Sequence, residues 1–595
     1  MRFVRTGKRE WAWLLVLAGF ICVPLLCSSP YALHVITLFF IYVMLAMGLS
    51  IIVGYAGLLV IGYAAFFAVG AYFYAVLNTR AGLPFEIAVL GAALMAALVG
   101  IVLGFPTLRV RGDYLALVTL AFGEIATQVL NNWTSITGGP KGIPAVSSPE
   151  VFAWHAAGPG QQFYLALACT SLGFLIMRQV SRSPFAVIWE SIRDDELAAR
   201  ACGVNTTNWL LLAFALGAAF AGAAGALFAG IQRFVSPESF TLSESILILS
   251  IVVLAGGKSV SRIMVAGCVL FCIPEAMRSL SEYRTLAFGL ILIVFTVLDH
   301  SFSKRRSRAR GTALEEDLRP HYESGKRFPP CLRAAKGPVS EIKLTDVSKS
   351  FSGLHALQGV TFTVPCEKGI VGLIGPNGAG KTTLFNCIAG LLSPDQGTIE
   401  ACGLGDLTKK TDHETAKLGV GRTFQRTRLF QSMTVRENVF LGAFCNQRIP
   451  YLASVIPGAS MRRFQTQCSI IAHAAMDFLG IDGFADGKVS SLPIGVQRKV
   501  EIARTLAMRP RLLLFDEVAS GLNEAEKKEL ADLLRTMSSE GGIPIILVEH
   551  DIAFVTQLSK HISVLAEGRL LAEGSPDEIL ADERVIASYL GTRRC

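Results

Sequence analysis

The sequence is poor in charge and in paired cysteines. Only 17% of its 595 residues are Asp, Glu, Lys or Arg, and its 13 cysteines include no C-x-x-C pair. Scattered cysteines, several of them inside apolar runs, argue against a disulfide framework and against a zinc site. The formal net charge of +9 could suggest a nucleic-acid partner, but the basic residues cluster beside apolar runs, where the positive-inside rule and anionic lipid account for them. We therefore expect contact with membrane lipid and none with nucleic acid.

Long apolar runs are abundant, and they are confined to the first half of the chain. Because a membrane-spanning helix needs about 20 apolar residues, residues 1–300 are predicted to form a polytopic α-helical membrane domain of about 8–10 spans. Residues 301–340, basic at first and then containing proline and charge, are predicted to be a linker, and residues 341–595 a soluble α/β domain. The candidate spans are 11–28, 31–53, 57–78, 84–104, 114–130, 163–180, 208–231, 243–257, 263–279 and 285–299.

The charges between the spans predict an orientation. The first apolar run is expected to be a retained helix and not a signal peptide. If the N-terminus is cytoplasmic, ten spans return the end of the membrane domain to the cytoplasm. The loop 181–207 and the basic run after residue 300 then lie inside, while 131–162, whose only Lys or Arg is Lys141, lies outside. We expect a multi-pass membrane protein with a cytoplasmic C-terminal domain.

A phosphate loop lies in the soluble half. Gly375–Thr382 matches G-x-x-x-x-G-K-[ST], with a predicted strand before it and a predicted helix after it. Such a loop cradles phosphates with its backbone N–H groups, and Lys381 should meet the β- and γ-phosphates and Thr382 the Mg²⁺. Phe351 could stack on adenine, with core packing as the alternative. The residues predicted to bind ATP are Phe351, Gly375, Pro376, Asn377, Gly378, Ala379, Gly380, Lys381, Thr382 and Thr383.

A second apolar strand ends in two adjacent carboxylates, Asp516 and Glu517. We predict that Asp516 holds Mg²⁺ and that Glu517 polarises the attacking water, because phosphoryl transfer depends on positioning and charge stabilisation. An ATP-hydrolysing domain joined to a membrane domain makes ATP-driven transport the leading hypothesis. A membrane-anchored regulatory ATPase is the alternative from another class, and the number of apolar runs argues against a mere anchor.

The membrane half resembles the M-type permease of Liv-type (branched-chain amino acid) ABC importers over nearly all of residues 30–298. The resemblance rests on Gly48–Leu59, on Pro106–Tyr114, and on Gly123–Ile125 with the later Ile136–Ile143. It departs from the family at 256–262, where the family has more glycines. Glu124 lies inside a predicted span, close to a helix break expected at Gly123; because intramembrane carboxylates are costly, it has either a structural hydrogen-bonding role or a place on the substrate path.

The stretch 186–206 resembles the coupling segment of ABC importer permeases. Its E-x-x-x-x-x-E-x-A-A-R-x-x-G pattern predicts a charged amphipathic helix that stops at Gly203. A solvated loop between spans is the alternative, and the resemblance favours docking on an ATPase. The coupling residues it implies are Glu190, Arg193, Glu196 and Arg200.

The soluble half resembles the G-type ATPase of Liv importers over nearly all of 341–595. The resemblance identifies Gln425 as the Q-loop glutamine, near metal and water, and His550 as the switch histidine near the γ-phosphate. Ala519–Asn523, Ile586–Gly591 and an insertion near 444–467 also fit. The signature segment departs from L-S-G-G-Q, because a proline with no backbone N–H replaces its serine. That segment is Leu492, Pro493, Ile494, Gly495, Val496 and Gln497.

The two resemblances together imply an importer of the bacterial inner membrane with permease and ATPase in one chain, using ATP and Mg²⁺. Branched-chain amino acids are the implied substrates; urea, amides and aromatic acids stay open, and an exporter is a further alternative that the coupling segment disfavours. The implied partners are an H-type permease, an F-type ATPase and an extracytoplasmic solute-binding protein. A homodimer is the alternative to this heteromer.

Overall fold

The computed structural model describes residues 19–26, 29–108, 110, 112–151, 154–272, 289, 327–334, 337–444 and 459–590. The chain divides into two compact units: Met1–Arg193 with Thr207–Arg310, and Asp194–Thr206 with Gly311–Cys595. The second unit thus includes a short inserted segment, Asp194–Thr206, that comes from the apolar half of the sequence. The expected boundaries near residues 300 and 340 stay predictions, because most of the linker lies outside the described residues.

The first unit is mostly helical, and it also contains a one-turn helix, Thr134–Thr137, and a two-stranded hairpin, Glu150–Val151 with Trp154–His155. Among the described residues, six helices are long and apolar enough to cross a membrane, and the candidate spans 11–28, 263–279 and 285–299 lie wholly or partly outside those residues. The helices are α1 (Pro30–Leu49, continued by a π-helical turn at Ser50–Tyr55), α2 (Ala64–Ala81), α3 (Phe85–Thr107), α4 (Asp113–Asn132), α5 (Pro159–Arg182), α6 (Pro184–Asp194), α8 (Thr206–Gln232), α9 (Leu242–Leu254) and α10 (Val260–Gly267), with α7 (Glu196–Ala201) in the inserted segment.

Close backbone contact holds these helices together. A Cβ atom on Gly54 would lie 1.8 Å from the carbonyl oxygen of Gly257, and one on Gly70 would lie 2.3 Å from the Cα atom of Gly222. Helices that pack without a hydrophobic driving force depend on small residues of this kind. The glycines of the 48–59 stretch therefore have a packing role.

The second unit is an α/β fold with two sheets. Its strands are β1 (Ile342–Phe351), β2 (Leu354–Val364), β3 (Ile370–Ile374), β4 (Gln396–Ala401), β5 (Gly405–Asp406), β6 (Val420–Arg422), β7 (Leu512–Asp516), β8 (Ile545–Val548), β9 (His561–Ala566) and β10 (Arg569–Gly574). Its helices are α11 (Lys381–Ile388), α12 (Asp412–Leu418), α13 (Val435–Phe444), α14 (Ala459–Phe478), α15 (Ile494–Ala507), α16 (Glu524–Ser539), α17 (Ile552–Leu558), α18 (Pro576–Ala581) and α19 (Glu583–Leu590). The insertion predicted near 444–467 lies partly outside the described residues.

The larger sheet has the order β10-β9-β3-β8-β7-β6, and the smaller one β2-β1-β4-β5. Strands β3, β7 and β8 run parallel, with Val548 opposite both Leu373 and Asp516. Every residue of these three strands is buried, which is typical of a parallel sheet covered on both faces. Their carboxyl ends therefore meet at one edge, and ligands bind at this edge in open α/β sheets.

A single helix was predicted from residue 186 to a stop at Gly203, and that prediction is wrong. Helix α6 ends at Asp194, and Asp195 takes an extended conformation in which its side chain accepts the N–H of Ala198. Because this N-cap satisfies a free donor at a new helix start, α7 begins as a separate element. It ends at Ala201, shortly before Gly203, whose φ is +75°.

Candidate functional site: an ATP-hydrolysing centre

The phosphate loop joins β3 to α11 at the carboxyl edge of the larger sheet. Gly378 and Gly380 have φ of +81° and +95°, and a Cβ atom on Gly380 would lie 2.4 Å from the carbonyl oxygen of Ala356. Gly378 needs glycine for its positive φ, and Gly380 needs it both for its positive φ and for the close approach of Ala356. The Lys381 ammonium donates to the carbonyls of Gly375 (2.6 Å) and Pro376 (2.9 Å). Burial lowers the pKa of Lys381, and the nearby charges of Glu517 and Asp516 oppose that shift.

Asp516 ends β7 as a buried carboxylate. Its side chain is 1% exposed, and neither oxygen has a hydrogen-bond partner among the described residues. The Arg422 guanidinium lies 3.5 Å from Oδ2. Burial raises the pKa of Asp516, and Arg422 opposes the rise. Asp516, Thr382 and Gln425 line one cavity of about 340 Å³, so residues that carry a carboxylate, a hydroxyl and an amide lie around it, and oxygens of these groups suit Mg²⁺.

Glu517, Gln425 and His550 meet at one oxygen atom. The Gln425 side-chain amide donates to Glu517 Oε1 at 2.9 Å, and His550 Nε2 lies 2.9 Å from the same atom. Glu517 has φ of +48°, a conformation that costs free energy for a residue with a side chain. The turn is held by a hydrogen bond from the Glu517 N–H to the Val548 carbonyl. The three residues predicted to be catalytic therefore lie together.

Glu549 belongs to the same edge and was not predicted. It is 4% exposed, and its Oε1 accepts the Ala519 N–H at 2.7 Å. Burial raises the pKa of Glu549 to about 7. The signal that could have found it is its place directly after the apolar strand β8, which matches the place of Glu517 after β7.

The signature segment opens α15. Pro493 occupies the N-cap position with no capping side chain, and Ile494 is 68% exposed. Val496 is buried, and the Gln497 amide donates to the Leu492 carbonyl at 2.8 Å. Among the described residues, no hydrogen bond or ion pair joins this segment to the residues predicted to bind phosphate. The remaining signature residue is Gly495, where a Cβ atom would lie 2.7 Å from Glu526 Oε1.

Phe351 lies at the end of β1, and its ring is 42% exposed. The Lys349 ammonium lies 5.8 Å from the ring centroid. This exposure argues against core packing, the alternative to adenine stacking.

The predicted coupling residues fall into two groups. Glu190 is 3% exposed and forms an ion pair with Lys258 at 3.2 Å, and Arg193 donates to the Gly54 carbonyl at 2.6 Å; both contacts lie within the first unit. Glu196 and Arg200 pair with each other inside the inserted segment.

Two hydrogen-bonded contacts with the ATPase fold come from residues of the inserted segment that were not predicted. Asp194 accepts the Ser432 N–H, and Asp195 accepts a hydrogen bond from the Arg428 guanidinium, each at 2.8 Å. Arg428 and Ser432 follow Gln425 in sequence. The acidic pair Asp194-Asp195 is therefore added to the predicted coupling residues, whose role stays a prediction.

Glu124 lies in the middle of α4 with its side chain exposed. The helix runs unbroken through Gly123, so the helix break expected there is wrong. The described residues include no hydrogen-bond partner for the Glu124 carboxylate, so they do not support the structural hydrogen-bonding role.

Three family profiles match the sequence. Residues 31–297 match a branched-chain amino acid transport system permease component, 357–520 an ABC transporter domain, and 569–594 a branched-chain amino acid ATP-binding cassette transporter region. The permease protein LivM of Escherichia coli K12 is 40% identical over 307 residues, covering 48% of this chain and 72% of that protein. The ATP-binding protein BraF of Pseudomonas aeruginosa PAO1 is 37% identical over 254 residues, covering 43% and 98%. The ATP-binding protein LivG of Escherichia coli K12 is 38% identical over 243 residues, covering 40% and 94%.

Proposed function

Because the chain belongs to the branched-chain amino acid ABC transport family, as a multi-pass permease continuous with its ATPase, we propose that it drives import of leucine, isoleucine and valine across the bacterial inner membrane. The observation that carries the proposal is the convergence of Gln425 and His550 on Glu517 in a chain whose other half matches a permease. The ATPase domain then faces the cytoplasm, where ATP is available.

The residues of the phosphate loop bind the nucleotide. Backbone N–H groups of Gly378–Lys381 contact phosphate oxygens, and the Lys381 ammonium exchanges its carbonyl partners for the β- and γ-phosphates. Phe351 stacks on the adenine ring. Thr382, Gln425 and Asp516 would hold Mg²⁺, which neutralises charge on the phosphates when bound.

Glu517 acts as the base. Its carboxylate orients water and accepts a proton from it, since the amide of Gln425 and the ring of His550 fix the position of Oε1. His550 also lies where it can contact the terminal phosphate. Phosphoryl transfer needs this positioning more than covalent help from the protein.

One chain supplies one permease and one ATPase, so a working importer needs a second of each. The partners that fit are an H-type permease and an F-type ATPase, with an extracytoplasmic solute-binding protein to deliver the amino acid. Glu124 is the candidate substrate-path residue. Its carboxylate suits the ammonium group of an amino acid.

Transport in proteoliposomes tests this proposal. We expect uptake of labelled leucine that needs ATP inside, the binding protein outside and both partner subunits, and that stops in the Glu517→Gln variant. Labelled urea and an aromatic acid, offered in parallel, should not be carried. Efflux instead of uptake, or ATPase activity with no solute movement, would contradict the proposal in favour of an exporter or a regulatory ATPase.

A further inference from the structure

A buried ion pair lies on α15, beyond the residues that the proposed mechanism uses. Arg498 Nη1 is 3.1 Å from Glu501 Oε2, and the two side chains are 7% and 0% exposed. Removing two charges from water is costly, and buried ion pairs often add little stability compared with apolar residues of the same size. Stabilising the fold is therefore a weak explanation for the presence of this ion pair. The other contacts of the two side chains suggest a better explanation.

The guanidinium of Arg498 holds three backbone carbonyls. It donates to Phe424 (3.2 Å), to Gln425 (3.4 Å) and to Glu517 (3.3 Å). The first two belong to the loop that carries the Gln425 amide, and the third belongs to the base itself. A single planar group with fixed donor directions thus sets the distance between the main chains of Gln425 and Glu517.

Glu501 holds the same loop from the other side. Its Oε1 accepts the N–H groups of Phe424 (3.3 Å) and Arg428 (3.4 Å). The side chain of Arg428 in turn donates to Asp195 of the inserted segment at 2.8 Å. A chain of contacts therefore runs from Asp195 through Arg428, Glu501 and Arg498 to Glu517.

We propose that Arg498 and Glu501 are positioning residues that fix Gln425 against Glu517 and relay the state of the Asp195–Arg428 contact to them. The relay rests on the proposed function, since the inserted segment lies between two permease helices in sequence. Movement of Arg428 changes the loop that Glu501 and Arg498 hold, and so changes the distance between the Gln425 amide and the Glu517 carboxylate. Neither side chain lines the cavity that Thr382, Gln425 and Asp516 share.

Steady-state kinetics of the full complex test the positioning role. Arg498→Lys keeps the charge but loses the forked donor set. We expect kcat for ATP to fall about tenfold or more, KM for ATP to stay within about twofold, and stimulation by substrate-loaded binding protein to be lost. Lys499→Gln is the matched control, because Lys499 is the next residue of α15 and pairs with Glu529 at 2.8 Å. It should leave all three quantities unchanged.

A double-mutant cycle separates positioning from general damage. In a Gln425→Ala background, Arg498→Lys should lower kcat by less than about twofold, since the amide it positions is gone. If Arg498→Lys lowers the yield of folded protein, Glu501→Gln, which keeps the size of the side chain, replaces it in the cycle, and the same small loss of kcat is expected. Independent, multiplying losses, or an equal loss in Lys499→Gln, would overturn the inference. The kinetic cycle uses ATP turnover alone, so a different transported solute would refute the proposed substrate and leave this result standing.

Discussion

Glu517 is the residue on which ATP hydrolysis should depend most. Replacing it with Gln keeps the side chain's size and removes the carboxylate that accepts a proton from water. We expect steady-state ATP hydrolysis to fall by about 10³-fold or more while ATP binding persists. Turnover can be measured by phosphate release and binding with a fluorescent ATP analogue. Turnover near that of the unaltered chain would refute the role of Glu517 as the base.

Lys381 gives the contrasting result. The Lys381→Ala variant removes the ammonium group expected to contact the phosphates, so nucleotide affinity itself should fall. Measured beside Glu517→Gln, it distinguishes loss of binding from loss of chemistry. If both variants kept the same affinity for ATP, the assignment of Lys381 to the phosphates would be wrong.

Glu549 should make stability depend on pH. Its pKa of about 7 in the folded protein lies above the ordinary value of 4.5, because burial disfavours the charged form. Between these two values the folded state binds more protons than the unfolded state, so stability should fall as pH rises through this window, by about 3 kcal/mol in total.

The Glu549→Gln variant mimics the protonated form and should flatten that pH dependence. Thermal unfolding of the purified chain in detergent, recorded from about pH 5 to pH 8, would show it. Asp577→Asn, which alters an exposed carboxylate in α18, is the control. A melting profile in Glu549→Gln as steep as that of the unaltered chain would show that another group controls the titration.

At this scale, sequence reasoning found residues that belong to motifs and missed those defined by burial. Glu517 was predicted from its place after an apolar strand, and Gln425 and His550 were predicted from the resemblance to an ABC ATPase; the last two meet at one oxygen of Glu517. No role was predicted for Glu549 or for the Arg498–Glu501 pair. Their importance depends on how deeply they lie and on which carbonyls they reach, and neither property can be seen in a single sequence.

Among the structural elements, the inserted segment carries the next prediction. Asp195→Lys would place a cation against Arg428, so the 2.8 Å contact would be replaced by repulsion. We expect stimulation of ATPase by substrate to fall several-fold, with a smaller loss of basal hydrolysis, because Asp195 does not itself line the cavity that Thr382, Gln425 and Asp516 share. Rates with and without loaded binding protein measure both.

Restoring the opposite charges is the matched control for this element. In the double variant Asp195→Lys with Arg428→Glu, attraction returns in reverse order, and substrate stimulation should recover in part. No recovery, or an equal loss of basal and stimulated rates in folded Asp195→Lys, would argue against a coupling role for this contact.

The same segment contains a helix break that the sequence did not predict. The charge pattern predicted one helix from residue 186 to Gly203, whereas the structure has two, Pro184–Asp194 and Glu196–Ala201, and the break at Asp195 was not predicted. An aspartate inside a helical pattern can either remain within the helix or cap a new one, and the N–H of Ala198 decides between them only once the chain is folded. The strand before the phosphate loop and the strand that ends at Asp516 were predictable because a short, continuous apolar run has fewer alternatives.

The whole molecule raises the question of which composite ATP site works. ABC ATPases resembling this one pair two domains, each offering a signature segment to the other's phosphate loop. Here Pro493 lacks both a hydroxyl and a backbone N–H, and the exposed apolar side chain of Ile494 follows it. In a heteromer, the active site should therefore form on this chain's Lys381, Asp516 and Glu517, completed by the signature segment of the partner.

Reconstitution with and without the partner subunits tests this asymmetry. We expect ATP turnover to rise at least about tenfold when the partners are added, and the rise to disappear when this chain alone carries Glu517→Gln. The equivalent change in the partner ATPase should cost less. Full substrate-stimulated ATPase and uptake by the lone chain would overturn the heteromer in favour of a homodimer.

The inserted segment binds the ATPase fold through weak contacts. Its contacts with Arg428 and Ser432 are one partly exposed ion pair and one hydrogen bond, each worth about 1 kcal/mol or less. Between separate subunits such contacts would act at the dilute concentrations of a cell. In this chain the segment and the ATPase fold belong to one polypeptide, so their encounter does not depend on protein concentration. One polypeptide can therefore hold the two together with contacts that would be too weak to hold separate subunits together.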